Sequence, residues 1–195
     1  MKHTKYLLAA LLLLGMSGCL FPEKIETRVR FSGKNSKTGE FEQAQVTILY
    51  HNISSAAEDE KKLTQDFEEL LKGEKDEGSE DEVDDGMIIK KRHVYIENGK
   101  INVRAEAVPE DGKIEDVIAN GERILVLERQ DDIELIETNG KIFKTEENYI
   151  IVWPESLEEI YWIQRFHAEN DDDKAALERN RPKLVRMLEE HLKQQ

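Results

Sequence analysis

This chain of 195 residues has one cysteine, Cys19, and lacks any long hydrophobic run. A single thiol cannot close an intramolecular disulfide, so the fold must depend on its own apolar core. The longest apolar run, residues 6–14, is nine residues long, far below the ~20 that cross a bilayer as a helix. The sequence therefore excludes a disulfide-stapled scaffold and predicts no membrane-spanning helix.

Motifs of catalysis are also missing. There is no Gly-x-Ser-x-Gly, no Gly-x-Gly-x-x-Gly and no phosphate-binding loop. Four histidines follow the first eighteen residues without HExxH or another metal-ligand spacing: His51, His93, His167 and His191. Carboxylate pairs for glycoside chemistry cannot be singled out among 42 acidic residues. The sequence therefore predicts a protein that is not an enzyme and that holds no metal or other cofactor.

Charge is strongly unbalanced, with 42 acidic against 28 basic residues and a net charge of −14. This balance argues against nucleic acid and against adhesion to anionic lipid. Acidic residues dominate residues 73–86, which predicts a flexible acidic loop. An EF-hand alignment starting at Asp81 fails, because Val83 and Arg92 occupy ligand positions. We favour a solvated spacer over loose calcium binding for the acidic loop. The basic triplet 90–92 is interpreted as a solvated strand edge.

The N-terminus combines a basic start with a short apolar run and a small-residue ending. Lys2 and Lys5 precede residues 6–14, and Met16-Ser17-Gly18-Cys19 follow. This order is typical of a signal peptide. The last four residues resemble the lipobox that lipoprotein signal peptidase recognises, a Leu, a small residue, a Gly or Ala, and then Cys. The chain departs from that pattern only at Met16, which is apolar and of similar length.

The resemblance implies a bacterial lipoprotein whose signal peptide, residues 1–18, is removed and whose Cys19 carries the lipid, palmitate included. Leu20 in second place implies the outer membrane, facing the periplasm, because enteric lipoproteins kept at the inner membrane have Asp there. Loss of two lysines from 28 basic residues leaves 26 against 42 acids, so the mature charge is about −16. Residues 19–24 predict a short tether, from which Leu20 and Phe21 reach the membrane interface.

The remaining sequence predicts a single α+β domain, residues 25–195. Alternation over residues 25–31 and 41–50 predicts a hairpin, and residues 56–72 predict a helix that Ser54 or Ser55 caps. Three Asn-Gly pairs predict tight hairpin turns: Asn98-Gly99, Asn120-Gly121 and Asn139-Gly140. The whole is an antiparallel β-meander of about seven strands, a sheet or an open barrel, with one inserted helix and C-terminal helices.

The C-terminal region predicts a last strand over residues 149–153 and a helix over residues 156–168. Asn170 or Asp171 then caps a final helical region that Pro182 divides or, as a first-turn proline, reopens. On the helix of residues 156–168, Trp162 points about 100° away from its neighbours. It therefore stands as a candidate anchor for a protein partner, because Trp is enriched at interface hot spots.

These observations favour an envelope lipoprotein of the bacterial cell with a protein-binding or scaffolding role. Its partners are the membrane, through lipidated Cys19, and other envelope proteins. The alternative is a carrier of lipid or of a small ligand, in which the meander encloses an apolar cavity as in lipocalin-like barrels. An enzyme acting on the cell wall or on glycans is the third hypothesis.

Overall fold

The computed structural model describes residues 19–34, 36, 41–72, 82–84, 87–109, 117–168 and 170–194. The predicted signal peptide and most of the predicted acidic loop lie outside the described residues. Within these ranges the chain forms twelve strands and two helices. This architecture confirms the predicted α+β class.

Most strands belong to the first two thirds of the chain. They are β1 (Leu20–Phe21), β2 (Lys24–Lys34), β3 (Phe41–Ser55), β4 (Glu82–Asp84), β5 (Met87–Glu97), β6 (Lys100–Pro109), β7 (Val117–Ala119) and β8 (Glu122–Glu128). The later strands are β9 (Ile133–Thr138), β10 (Lys141–Lys144), β11 (Asn148–Pro154) and β12 (Glu159–Phe166). The helices are α1 (Glu60–Leu71) and α2 (Asp171–Leu192).

The strands form two sheets in which every pairing is antiparallel. The main sheet has the order β4-β5-β6-β3-β2-β12-β9, and β1 adds to β3 beside this path. The smaller sheet has the order β10-β11-β8-β7. The main sheet is open, with β4 and β9 at its ends, so it is not a barrel. Helix α2 packs on β3, β5 and β6, and its buried Leu184 and Leu188 belong to the core.

Two of the three predicted Asn-Gly turns are confirmed. Asn98 and Gly99 have φ of 53° and 71°, and Asn120 and Gly121 have φ of 57° and 76°. Positive φ at both central positions is what a tight hairpin between β5 and β6, or β7 and β8, requires. Asn is among the few side chains that tolerate this conformation.

The third pair, Asn139-Gly140, does not close a hairpin, and that prediction was wrong. Strand β9 before it pairs with β12 in the main sheet, while β10 after it pairs with β11 in the smaller sheet. The pair is therefore one of the points where the chain crosses between the two sheets. Its side-chain oxygen, Asn139 Oδ1, accepts hydrogen bonds from Trp153 Nε1 at 2.8 Å and from Tyr161 N at 3.0 Å, which ties the sheets together.

The helix predicted over residues 156–168 was also wrong, because most of this segment is strand β12. The strand lies between β2 and β9, and its side chains at Ile160, Trp162, Ile163 and Gln164 are all buried. A continuous run of β-branched and aromatic residues fits a doubly covered strand as well as a helix. Because β12 lies between two neighbouring strands that bury it, this run forms a strand and not a helix.

The predicted helix boundaries need two corrections. Ser54 and Ser55 end β3 instead of capping α1, and Asp59 is the N-cap, accepting from Lys62 N at 2.8 Å. Helix α2 is one continuous helix with Pro182 exposed inside it, so Pro182 neither divides nor reopens the predicted final helical region. The predicted cap Asn170 is confirmed, since its side chain accepts from Asp173 N.

Arg92, from the basic triplet interpreted as a solvated edge, is instead buried. Its guanidinium donates to the carbonyl oxygens of Lys72 at 2.6 Å and of Leu70 at 3.1 Å. Carbonyls in the last turn of a helix have no partner within the helix. Arg92 therefore caps the C-terminus of α1 from the neighbouring strand β5.

Candidate functional site

Cys19, the predicted lipidation site, is built into the edge of the fold. Its carbonyl oxygen accepts from Ala56 N at 2.7 Å, and its nitrogen donates to Asp66 Oδ1 at 3.3 Å. The next residue, Leu20, pairs with Ser55 and is only 8% exposed. Residues 19–24, predicted as a tether, thus contain β1 and the start of β2. Cys19, the first described residue, already contacts the rest of the domain.

Leu20 and Phe21, both expected to reach the membrane interface, instead contact the protein, Leu20 in the core and Phe21 as a half-buried residue. Leu20 belongs to the hydrophobic core, and Phe21 packs edge-to-face on Phe166 with ring centroids 6.4 Å apart. A side chain that already fills a core position gains little from entering lipid, because its apolar area is already removed from water. The apolar residues after Cys19 fit the membrane interface and the protein interior equally well, so the sequence pattern did not distinguish the two.

The carboxylate of Asp66 ties Cys19 to strand β3 by hydrogen bonds. Asp66 is 5% exposed and accepts from Ser55 Oγ at 2.5 Å as well as from the nitrogen of Cys19. Partial burial and, to a smaller degree, the Asp66 carboxylate raise the pKa of the Cys19 thiol. A raised pKa keeps the sulfur protonated and weakly nucleophilic while it is free.

A cavity of about 640 Å³ opens beside Cys19. It lies between β1, the chain before α1 and the first turns of α2, and its wall mixes apolar and charged side chains. Leu20, Phe21 and Leu177 contribute apolar surface, while Lys62 and Arg179 contribute charge. Phe21 and Leu177 also line a second cavity.

This second cavity, of about 620 Å³, is the Asn52 cavity, lined by Glu23, Asn52, Phe166, Lys174 and Arg181 among others. Asn52 is 4% exposed and has φ of 53°. It lies where the register between β3 and β6 shifts, at a bulge. Non-glycine residues with positive φ are uncommon and cluster at functional sites, where the surrounding structure holds them.

Two polar groups of Asn52 have a hydrogen-bond partner in the described part of the chain, and a third does not. Its nitrogen donates to Asn102 Oδ1 at 3.0 Å, and its Nδ2 donates to the Glu23 carboxylate. Its Oδ1 is buried and has no hydrogen-bond partner among the described residues. An unsatisfied buried acceptor costs ~1–3 kcal/mol, a cost that a ligand donor would relieve if it reached Asn52 Oδ1.

Arg181 lines the same cavity. Its Nε is buried and, within the described part of the chain, has no hydrogen-bond partner. Glu23 also lines the cavity, yet no ion pair within 4.0 Å joins these two described residues. The pKa of Glu23 is lowered, mainly by the hydrogen bond from Asn52 and in part by nearby cations that include Arg181. Glu23 is therefore ionised and faces a cavity that also contains a cation.

Trp162, the predicted partner-binding residue, lies inside the fold. It is 2% exposed, and its ring packs on Trp153 with centroids 6.3 Å apart. The hypothesis depended on a helical arrangement that β12 does not have. Trp162 therefore fills the core instead of standing at a surface where a partner could contact it.

A different surface carries exposed apolar groups, and the sequence interpretation missed it. Strand β10 is an end strand of the smaller sheet, and all four of its residues are exposed. Ile142 and Phe143 are 44% and 45% exposed, and Lys141 Nζ lies 4.7 Å from the Phe143 ring centroid. Two apolar residues between two lysines indicate this exposed strand in the sequence. The Asn-Gly turn prediction instead made the segment a hairpin partner of β9.

His51, His93 and His191 each contact a different side chain. His93 stacks on Tyr95, His191 contacts Phe67, and His51 Nε2 lies 3.8 Å from Glu26. Desolvation by burial, together with Lys24, lowers the pKa of His51. In the part of the chain that the structure describes, no three His, Cys, Asp or Glu side chains group as metal ligands would.

Comparison with protein families, with characterised proteins and with solved structures found no match to this chain. None of the helices in the described ranges combines the length and the apolar character needed to cross a membrane.

Proposed function

We propose that this chain is a lipid-anchored domain of the bacterial cell envelope that binds another envelope protein through strand β10. The observation that carries the proposal is the exposed apolar edge formed by Ile142 and Phe143. Exposed end strands offer unpaired backbone donors and acceptors, and peptide recognition often adds a strand to such an edge.

The charges on β10 favour a foreign strand over a second copy of this chain. If two copies of β10 paired antiparallel about the Ile142–Phe143 centre, Lys141 of each would face Lys144 of the other. Like charges directly opposite each other destabilise a strand pair. A partner strand with apolar residues in the middle and acidic residues at its ends matches both features of β10.

The N-terminal edge supports the membrane part of the proposal. The lipobox resemblance ends at Cys19, and this residue is held in the fold, because Cys19 O accepts from Ala56 N and Leu20 is buried. A lipid on Cys19 would hold the domain directly against the bilayer without a spacer. Several acyl chains contribute ~0.8 kcal/mol for each buried CH₂, which makes such an anchor effectively permanent.

Site-specific crosslinking in living cells tests the docking surface. A photo-reactive amino acid replaces Phe143 in one variant and Lys100, an exposed residue of the main sheet, in a matched control. We expect a discrete protein adduct from position 143 and none from position 100. We expect Lys141→Glu with Lys144→Glu to reduce that adduct at least tenfold, a loss of ~1.4 kcal/mol. Identical adducts from both positions, or none from position 143, would contradict the proposal.

The small-ligand carrier is a second candidate, and the Asn52 cavity is the observation that favours it. This differs from the lipocalin-like arrangement expected from the sequence, because the main sheet is open and α2 covers β3. A hydrolytic enzyme gains no support from Glu23, whose pKa is lowered, whereas a general acid at neutral pH needs a raised one. Ligand titration with the purified chain tests the carrier candidate.

A further inference from the structure

We propose that the Asn52 cavity binds a small zwitterion, an amino acid or a short peptide with free ends. The ammonium group would lie between Glu23 and Asn52, and the carboxylate would lie at Arg181 and Lys174. This assignment is independent of β10 docking and of lipid on Cys19.

The first half of the site is an acceptor pair. Asn52 Oδ1 is buried without a partner among the described residues, and Glu23 is ionised and hydrogen-bonded to the same side chain. Both groups line the cavity and both accept hydrogen bonds. A ligand ammonium has three N–H donors and a positive charge, which satisfies Asn52 Oδ1 and neutralises Glu23 together.

The second half of the site is a donor pair. The buried Nε of Arg181 has no partner among the described residues, and Lys174 lines the same cavity. The planar guanidinium of arginine matches the geometry of a carboxylate. No ion pair joins the described residues Arg181 and Glu23, and the cavity wall, which also includes Asp171 and Glu178, has charges of both signs for a ligand that carries both.

The backbone around Asn52 holds the cavity wall in a fixed conformation. Asn52 keeps φ of 53° at the bulge in β3, and Asn102 Oδ1 fixes its nitrogen. The cavity volume of about 620 Å³ lies within the ~300–1,000 Å³ of small-molecule sites. Phe21, Phe166 and Leu177 on the wall provide apolar surface for the ligand's side chains.

Isothermal titration of the full chain, purified in detergent, with L-alanyl-L-alanine tests the assignment. N-acetyl-alanyl-alanine lacks the ammonium, and alanyl-alaninamide lacks the carboxylate. We expect each blocked peptide to bind at least tenfold more weakly than the free dipeptide. Titration with L-alanine separates the two ligand classes: tighter binding of L-alanine indicates an amino acid site, and tighter binding of the dipeptide indicates a peptide site.

Two variants connect binding to this cavity. Asn52→Gly keeps the positive φ and removes Oδ1, and Arg181→Gln removes the guanidinium. Each should weaken the tighter ligand at least tenfold, while Arg186→Gln, at an exposed position of α2, should leave it unchanged. Circular dichroism confirms that each variant is folded.

Three results would overturn the assignment. The first is no binding of either zwitterion up to about 10 mM, a binding free energy weaker than ~−3 kcal/mol. The second is equal binding of the free and the blocked peptides. The third is unchanged binding in both variants.

Discussion

Gly140 allows a close approach between the two sheets, so Gly140→Ala should destabilise the protein strongly. A Cβ at this position would lie 2.6 Å from Trp153 Nε1 and 2.7 Å from Ile151 Cγ2. Both neighbours are buried, with Trp153 1% and Ile151 0% exposed. Neither side chain can move aside into solvent. The added methyl must therefore displace the core or shift the crossing segment.

The magnitude follows from two costs. Overpacking of a well-packed core costs ~1–3 kcal/mol. Displacement of Trp153 also lengthens its hydrogen bond to Asn139 Oδ1, now 2.8 Å, and such a bond contributes ~1 kcal/mol. We therefore expect the free energy of unfolding to fall by about 2–4 kcal/mol. For a domain of this size that corresponds to a decrease in Tm of roughly 4–16 °C.

Gly121→Ala is the matched control. Nothing lies within 4 Å of a Cβ at Gly121, whose φ is 76°, so its substitution costs only the backbone strain of ~1–2 kcal/mol. Urea unfolding, followed by fluorescence of the two buried tryptophans, Trp153 and Trp162, gives both values. A loss for Gly140→Ala equal to or smaller than that for Gly121→Ala would refute the close approach between the sheets.

Three further predictions concern buried polar groups. Arg92→Ala should lower the free energy of unfolding by about 2–3 kcal/mol, because two carbonyls at the end of α1 lose their donor. Asp66→Ala should cost a similar ~2–3 kcal/mol, since Ser55 and Cys19 lose an acceptor, and Asp66→Asn should cost less. Burial lowers the pKa of His51 from its ordinary 6.5, so the wild type should lose stability as the pH falls below 6.5, and His51→Gln should flatten that slope.

Denaturant unfolding at pH 7 checks the first two variants, and a series between pH 7 and 5 checks the third. Lys61→Ala, at an exposed position of α1, is the control for lost positive charge and should change stability by less than ~0.5 kcal/mol. A loss for Arg92→Ala no larger than this control would contradict the capping role. Equal losses for Asp66→Asn and Asp66→Ala would argue against hydrogen bonding. A His51→Gln slope parallel to the wild type would exclude His51 as its source.

The local signals predicted much of the fold. Alternation of apolar residues located β2 and β3, and the Asn-Gly pairs located two turns, because positive φ at both turn residues is a local requirement. The α+β class followed from these elements. Strand β12 could not be predicted this way, since its apolar block fits both periods and only its position between β2 and β9 decides.

The candidate sites show the same limit. Asn139-Gly140 has the sequence of a turn, but the core contacts of Trp153 make it a crossing point. Asn52 lies in an apolar strand pattern, and nothing local indicates its positive φ or its unpaired oxygen. Arg181 lies ~130 residues away and reaches the same cavity only through packing of α2 on β3. Such sites depend on long-range contacts, which sequence periodicity does not contain.

The most direct test of the account is mass spectrometry of the N-terminal peptide of the protein extracted from bacterial membranes. We predict a mature chain that begins at Cys19 and carries acyl groups on it, and we predict that Cys19→Ala abolishes both the cleavage and the lipid. An unmodified chain that starts at another residue, or membrane retention that Cys19→Ala leaves unchanged, would contradict the central claim of lipid anchoring at Cys19.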